Sequence, residues 1–363
     1  MTGAPAGLRE RVPLAPLVTF GVGGPARFLI DATSEAEVAS SLAFARAAGV
    51  PVVVIGGGSN VLVADRGVDA LVLRPRLPGV ALAAAGDRVL VRAGAGERWD
   101  ALVLRTVDEG LAGLECLSGI PGDVGGAPIQ NLGAYGQEVA ETIVLVRAVD
   151  RATGEIACFD RAACAFGYRD SVFKREAAGR FVVVEVTFAL TPAGAPTVRY
   201  AELARRLEGV ATPTLADVRR AVIELRRAKS MVCDPGDENH RSAGSFFTNP
   251  TLDAEEIAAF RAREGALEAP TFPADGGRTK LSAGWLIERA GFPRGTSVGR
   301  VGLSTRHALA VVNRGGATAA EVVAFAAAVR AAVRSRFGVT LTPEPALIGF
   351  EGAELAALVD RAG

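Results

Sequence analysis

Histidine, cysteine and net charge are all scarce, and each shortage removes a class of activity. The 363 residues hold two histidines, His240 and His307, and four cysteines, Cys116, Cys158, Cys164 and Cys233. No two cysteines have C-x-x-C spacing, so no thiol redox pair, no zinc site and no other metal centre is expected, and the thiols are expected to be reduced. No uncharged apolar run reaches the roughly 18 residues that a membrane helix needs. The opening MTGAPAGLRERVPLAP lacks the apolar core of a secretion signal, so a cytoplasmic protein is expected. Forty basic and forty acidic residues cancel to a formal net charge of zero, which argues against nucleic-acid or membrane-surface partners. A local cationic pocket for a small anion stays compatible with that balance.

Glycine is what the chain has in excess, with 43 residues. Several cluster where a strand gives way to a loop, the places where backbone approaches something closely. The Pro51–Ile55 segment reads as a buried β-branched strand and runs into Gly56-Gly57-Gly58-Ser59-Asn60. Successive glycines there can turn backbone N–H groups on an anion, in the manner of a phosphate nest. Neither a Walker loop nor G-x-G-x-x-G fits, so a plain turn between two strands is the other reading. A second glycine-rich stretch runs from Ser118 to Gln137. Its residues Ile120, Val124, Ile129 and Leu132 count against a fully exposed Ω-loop. Two such loops suit a ligand with two phosphates, such as a dinucleotide.

Around these loops the periodicity predicts alternating elements. Strands are expected at Arg27–Asp31, Val61–Val63, Val89–Ala93, Thr142–Asp150, Phe181–Leu190 and Ala308–Asn313, with an extended segment at Leu341–Gly349. Helices are expected from the Ser34/Glu37 capping box to Ala48, at Glu97–Glu109, Tyr200–Leu207, Thr214–Ala228, Asp253–Arg263 and Leu281–Ala290, and from the Thr318/Glu321 box to before Gly338. Ser230–Gly244 reads as a linker.

Three further segments carry chemistry. Phe166-Gly-Tyr-Arg-Asp-Ser-Val-Phe-Lys174 sets Arg169 between a tyrosine and an aspartate. Its fork can clamp a carboxylate or simply pair with Asp170. Ser245 in Gly244-Ser-Phe-Phe-Thr-Asn249 has no nucleophile elbow and no triad, which leaves a proton donor or an ordinary strand serine. Glu344 stands between Pro343 and Pro345, which would hold its carboxylate in place, or it is a loop surface charge.

Taken in order, Thr19-Phe-Gly-Val-Gly-Gly, Ile55-Gly-Gly-Gly-Ser-Asn-Val-Leu62, Ile120-Pro-Gly, Pro128-Ile-Gln-Asn-Leu-Gly-Ala-Tyr-Gly136, the Phe166–Lys174 segment, Ala243-Gly-Ser-Phe-Phe-Thr-Asn-Pro250, Ala283-Gly-Trp-Leu-Ile-Glu288 and Leu341-Thr-Pro-Glu-Pro345 resemble the UDP-N-acetylenolpyruvoylglucosamine reductases. The resemblance spans residues 19–349. It implies an α+β fold: a two-part FAD-binding module of the vanillyl-alcohol-oxidase type plus a C-terminal α+β substrate-binding domain. The implied boundaries are 1–75, 76–228 and 229–345, with the tail 346–363 packing back on the first part. It implies non-covalent FAD, NADPH as co-substrate and UDP-N-acetylglucosamine enolpyruvate as substrate. Hydride would pass from flavin N5 to C3 of the enol ether, and a proton to C2, giving UDP-N-acetylmuramate for peptidoglycan precursor synthesis.

By motif match, Arg169, Ser245 and Glu344 would be catalytic, Ser245 being the proton donor. Glu344 would help only if protonated, so a raised pKa is expected there. Tyr168, Tyr200, Lys229, Asn249 and His307 would bind substrate. Tyr200 lies in the insert that marks a subclass with a tyrosine loop. FAD would be lined by Ile55, Gly56, Gly57, Gly58, Ser59, Asn60, Val61, Ser118, Ile120, Pro121, Gly122, Gly125, Gly126, Ile129, Gly133, Val183 and Arg226. Thr248 and His307 depart from the family pattern, which has lysine and an amide there. A flavin-dependent oxidase of a small alcohol or sugar, and a non-catalytic flavin module, are the competing readings.

Overall fold

A computed structural model describes residues 4–359, so residues 360–363 of the expected packing tail lie outside it. The chain divides into two compact units. Among the described residues, one comprises residues 4–12, 26–58 and 69–233, and the other residues 13–25, 59–68 and 234–359. The glycine loop that begins at Gly56 therefore carries the chain from one unit into the other.

Among the described residues the first unit holds two main sheets and a two-stranded ribbon of Gly133–Ala134 with Gln137–Glu138. In the smaller main sheet, strand Val52–Val54 pairs in parallel with Val68–Pro75, Val53 opposite Val72. Pro25–Ala32 and Arg9–Pro13 extend that sheet. Helix α1 (Glu35–Ala48) starts where the Ser34 hydroxyl accepts the Glu37 N–H and stops at Gly49, whose φ of 64° favours glycine. Phe28, Ile30, Val38, Leu42, Leu71 and Leu73 form the core of this layer.

The larger sheet is an antiparallel ladder in the order Ile156–Asp160, Ile143–Asp150, Phe181–Pro192, Arg88–Gly94, Val80–Ala85, with Leu111–Ala112 also paired to Phe181–Pro192. Helix α2 (Trp99–Asp108) buries Trp99, Leu102 and Val103 against Val91, Val186 and Phe188 of that sheet. α2 begins two residues later than the pattern predicts. The Glu97 carbonyl is already committed to the Val124 N–H and its carboxylate to the Gly79 N–H, so Glu97 cannot enter a helix. Helices α3 (Ala201–Arg206) and α4 (Leu215–Ala228) close the unit. A full capping box, Thr214 with Asp217, opens α4.

The second unit is built around one long helix. Helices α5 (Ala254–Arg261) and α6 (Ala283–Arg289) precede α7 (Ala319–Phe337), which opens on the Thr318/Glu321 box and ends at Gly338. α6 starts at Ala283 because Leu281 is spent in a strand opposite Thr271, and Ser282 then caps. Val322, Val329, Val333 and Phe337 of α7 pack with Phe246, Phe260, Leu286 and Val311 in a single core. Strand Ala346–Ile348 pairs in parallel with Val61–Val63, and α8 (Gly352–Leu358) follows. Among the described residues no helix is long and apolar enough to cross a membrane.

Candidate active site

In the first unit the two glycine-rich loops lie against each other. A Cβ on Gly57 would sit 2.7 Å from the Gly122 Cα, and one on Gly125 would sit 2.7 Å from the Ala95 Cβ. Those approaches forbid side chains and leave a surface made of backbone. Gly58, Gly119 and Gly122 take φ of 69°, 73° and 114°, which L side chains avoid. Arg226 comes up from α4 beneath this surface. Its Nε would lie 3.4 Å from a Cβ on Gly119, and its Nη2 donates to the Met231 carbonyl at 2.6 Å. Arg226 is 8% exposed, and its Nε is buried with no hydrogen-bond partner among the described residues. Burial pulls its pKa down, yet a guanidinium stays charged at neutral pH. A backbone cradle over a buried, under-satisfied cation fits a phosphate-bearing ligand.

The other residues expected to line the cofactor vary in access. Ser118 is fully buried and its hydroxyl donates to the Glu115 carbonyl at 2.7 Å. Val183 is buried in the sheet core. The Ile129 carbonyl accepts the Ser171 hydroxyl at 2.6 Å. Ile120 and Ile129 pack half-buried against the same core.

Beside the loops stands a group of polar and aromatic side chains. Arg169 takes a φ of 55°, a conformation that costs a non-glycine residue of order 1 kcal/mol and is kept where surroundings enforce it. The enforcement is visible. Its Nη2 donates to the Gly133 carbonyl at 2.7 Å, its Nη1 to the Asn131 carbonyl at 3.5 Å, and its own carbonyl accepts Lys174 Nζ at 2.9 Å. Asp170 forms its ion pair with Arg175. The Arg169 guanidinium also lies 5.6 Å from the centre of the Tyr168 ring.

Nearby, Tyr200 meets Tyr135 edge to face at 5.5 Å, and Lys229 lies 5.8 Å from the Tyr135 ring while paired with Glu202. The buried carboxylate of Glu115 fixes the segment before Tyr200, accepting the Thr197 N–H at 2.7 Å. Burial lifts the Tyr135 hydroxyl to about 12, so this ring stays a neutral donor. Sequence reasoning passed over Tyr135 as a site residue. Its φ of 50° is a backbone feature that no residue type announces.

The second unit gathers a different set. The segment Ser245–Phe247 lies between two others: the Phe246 N–H donates to the Leu309 carbonyl at 2.7 Å, and the Glu344 N–H donates to the Phe246 carbonyl at 2.9 Å. Asn60 Nδ2 donates to the Glu344 carbonyl at 3.4 Å, and the Ala346 N–H to the Asn60 carbonyl at 3.0 Å. Ser245, Glu344 and Asn60 thus sit on adjoining segments, and the fully buried Phe246 and Phe247 anchor them. Asn249 uses its Oδ1 to accept the Ala283 N–H at 2.9 Å, at the start of α6. The His307 N–H donates to the Ser304 hydroxyl at 3.3 Å, in the turn that leads to Leu309. The structure groups Arg169, Tyr168, Tyr200, Lys229 and Arg226 in one unit, and Ser245, Asn249, His307 and Glu344 in the other.

Comparison with known proteins agrees with this layout. Residues 26–159 match the FAD binding domain family. Residues 234–348 match the UDP-N-acetylenolpyruvoylglucosamine reductase C-terminal domain. The UDP-N-acetylenolpyruvoylglucosamine reductase of Nocardia farcinica is 52% identical over 359 residues, 96% of this chain and 92% of that protein. That of Thermobifida fusca is 48% identical over 350 residues, 94% of this chain and 98% of that protein. The crystal structure of the Thermus caldophilus UDP-N-acetylenolpyruvylglucosamine reductase superposes with a TM-score of 0.63 at 28% identity, covering 94% of this chain and 99% of that one. With relatives this similar along nearly its whole length, the chain belongs to the UDP-N-acetylenolpyruvoylglucosamine reductase family.

Proposed function

We propose that the protein is a cytoplasmic, FAD-containing reductase that uses NADPH to convert UDP-N-acetylglucosamine enolpyruvate to UDP-N-acetylmuramate for peptidoglycan precursors. The observation that carries this reading is the near-full-length identity to reductases of that name, with both family domains in order. FAD, when bound, would supply the two-electron chemistry that links NADPH oxidation to reduction of the enol ether at C3. Gly56–Asn60, Val61, Ile55, Ser118–Gly122, Gly125, Gly126, Ile129, Gly133, Val183 and Arg226 hold it. The three-part division at 75 and 228, with the tail returning to the first part, and the tyrosine-loop subclass belong to the same proposal.

The chain's own contribution is electrostatic. An enol ether accepts hydride only when its carboxylate is gripped so that developing charge spreads into it. Arg169 does the gripping. Its fork is pre-aimed by the Asn131 and Gly133 carbonyls, so little order is lost on binding. Glu344 assists as a neutral acid, since an anion there would repel the developing charge. Ser245 gives its hydroxyl proton to C2, which is basic enough in the transition state to take it, and a neighbouring donor returns a proton to the serine oxygen so that no alkoxide remains. Tyr168, Tyr200, Asn249 and His307 orient the substrate. Lys229 exchanges Glu202 for the substrate pyrophosphate.

The test is anaerobic. NADPH should bleach the bound flavin, and UDP-N-acetylglucosamine enolpyruvate should restore its colour while simple sugars do not. Failure of that substrate to reoxidise the flavin would overturn the reading. Rapid reoxidation by air in its place would favour an oxidase.

A further inference from the structure

From Ser118 to Gly136 the chain has one charged residue, Asp123, and the mechanism above gives it no task. Its placement is unusual for an acid. The side chain is 1% exposed. Oδ2 accepts Nη1 of Arg76. Oδ1 is buried and has no hydrogen-bond partner among the described residues. That orphan oxygen lies 3.1 Å from where a Cβ on Gly57 would be, and Oδ2 lies 3.9 Å from a Cβ on Gly56. The acid is therefore aimed into the glycine cradle, where phosphate oxygens are to be held. Two anions in a buried place repel strongly. A protonated carboxyl has an O–H to give to a phosphate oxygen.

We propose that Asp123 is a proton-linked clamp on the FAD pyrophosphate: it holds the phosphate as a neutral carboxylic acid, so FAD binding takes up one proton from solvent. The proposal rests on the flavin reading above. The groups that face Asp123 are few. Arg76 and Arg98 pull its pKa down, but burial outweighs them and leaves it above the ordinary carboxylate value. The charge of Arg76 is shared, since its Nε lies 3.8 Å from Asp31. Glu97 turns its carboxylate to the Gly79 N–H. Gly56–Gly58 brings no titratable group.

The sign follows directly. The pyrophosphate raises the Asp123 pKa further than burial alone does. Below the ligand-free value the acid is neutral in both states, and affinity does not change with pH. Between the two values binding needs a proton, and affinity falls up to about tenfold per pH unit. Above the bound-state value the loss levels off.

The experiment is a titration of flavin-depleted protein with FAD, read by flavin fluorescence, from about pH 5 to about pH 9. Calorimetry in buffers of different ionisation enthalpy then counts protons. The wild type should take up close to one proton in the steep region and bind weakly above it. Asp123→Asn keeps an amide donor and cannot ionise, so it should bind with flat pH dependence and more tightly than wild type at the alkaline end. Asp123→Ser, if the amide variant folds poorly, should give the same flat profile. Equal pH profiles for wild type and variants, or no proton uptake by the wild type, would overturn the clamp and leave the flavin reading intact. No FAD binding at any pH would overturn both.

Discussion

Arg169 concentrates the argument at the scale of single residues. Its guanidinium is set by two backbone carbonyls before any ligand arrives. Lysine keeps the charge and loses the fork, so Arg169→Lys should lower kcat/KM for the enolpyruvyl substrate by about 10²–10³. Stopped-flow reduction of the flavin by NADPH should be nearly unchanged. Equal loss in both half-reactions would show that Arg169 supports the flavin and not the substrate carboxylate. Ser245→Ala should likewise spare reduction by NADPH and slow substrate reduction by about 10²-fold or more. The sequence named these candidates through their family-like motifs, whereas each residue alone left its role open between chemistry and structure. Tyr135 and the orientation of Asp123 were not legible, because a left-handed backbone and an unsatisfied buried oxygen are properties of the fold. One signal was available for Asp123: it is the lone charge in a glycine-rich stretch.

Elements follow the local code where caps are strong. Ser34, Thr214 and Thr318 each open a helix by accepting the N–H three residues on, as their spacing predicts. Ser34→Ala should cost about 1 kcal/mol in denaturant unfolding. Strands were less legible. Val80–Ala85 is mostly alanine, a weak strand former, and owes its conformation to pairing with Arg88–Gly94. Glycine sites separate the same way. Gly86 has a φ of 63° with nothing within 4 Å of an added Cβ, so Gly86→Ala should cost only about 1 kcal/mol. At Gly67 an added Cβ would meet the Pro25 carbonyl oxygen at 1.9 Å, so Gly67→Ala should cost about 3 kcal/mol or more. Equal melting temperatures for the two variants would contradict that contrast.

For the molecule as a whole, the four thiols offer a readout of how FAD binding couples to stability. All four lie in the first unit. Cys158 and Cys233 are exposed, whereas Cys116 and Cys164 are buried, and burial lifts both buried thiols to about 12. A disulfide reagent attacks the thiolate, so near neutral pH Cys158 should react first. Cys233 should follow more slowly: although the residue is exposed, the protein around its sulfur partly desolvates the thiolate and raises its pKa. Cys116, whose thiol donates to the Thr197 carbonyl at 3.1 Å, and Cys164 should react only when the unit opens. A ligand that binds only the folded unit lowers the open population by the factor 1 + [L]/Kd. FAD at one hundred times its Kd stabilises by about 2.7 kcal/mol, so labelling of Cys116 and Cys164 should slow by about 100-fold while Cys158 keeps its rate. If the buried thiols slow no more than Cys158 does, they are reached by a local opening that leaves the glycine cradle closed. Their unit would then unfold in parts, and the cradle and the sheet core that contains Cys164 would be separate cooperative regions.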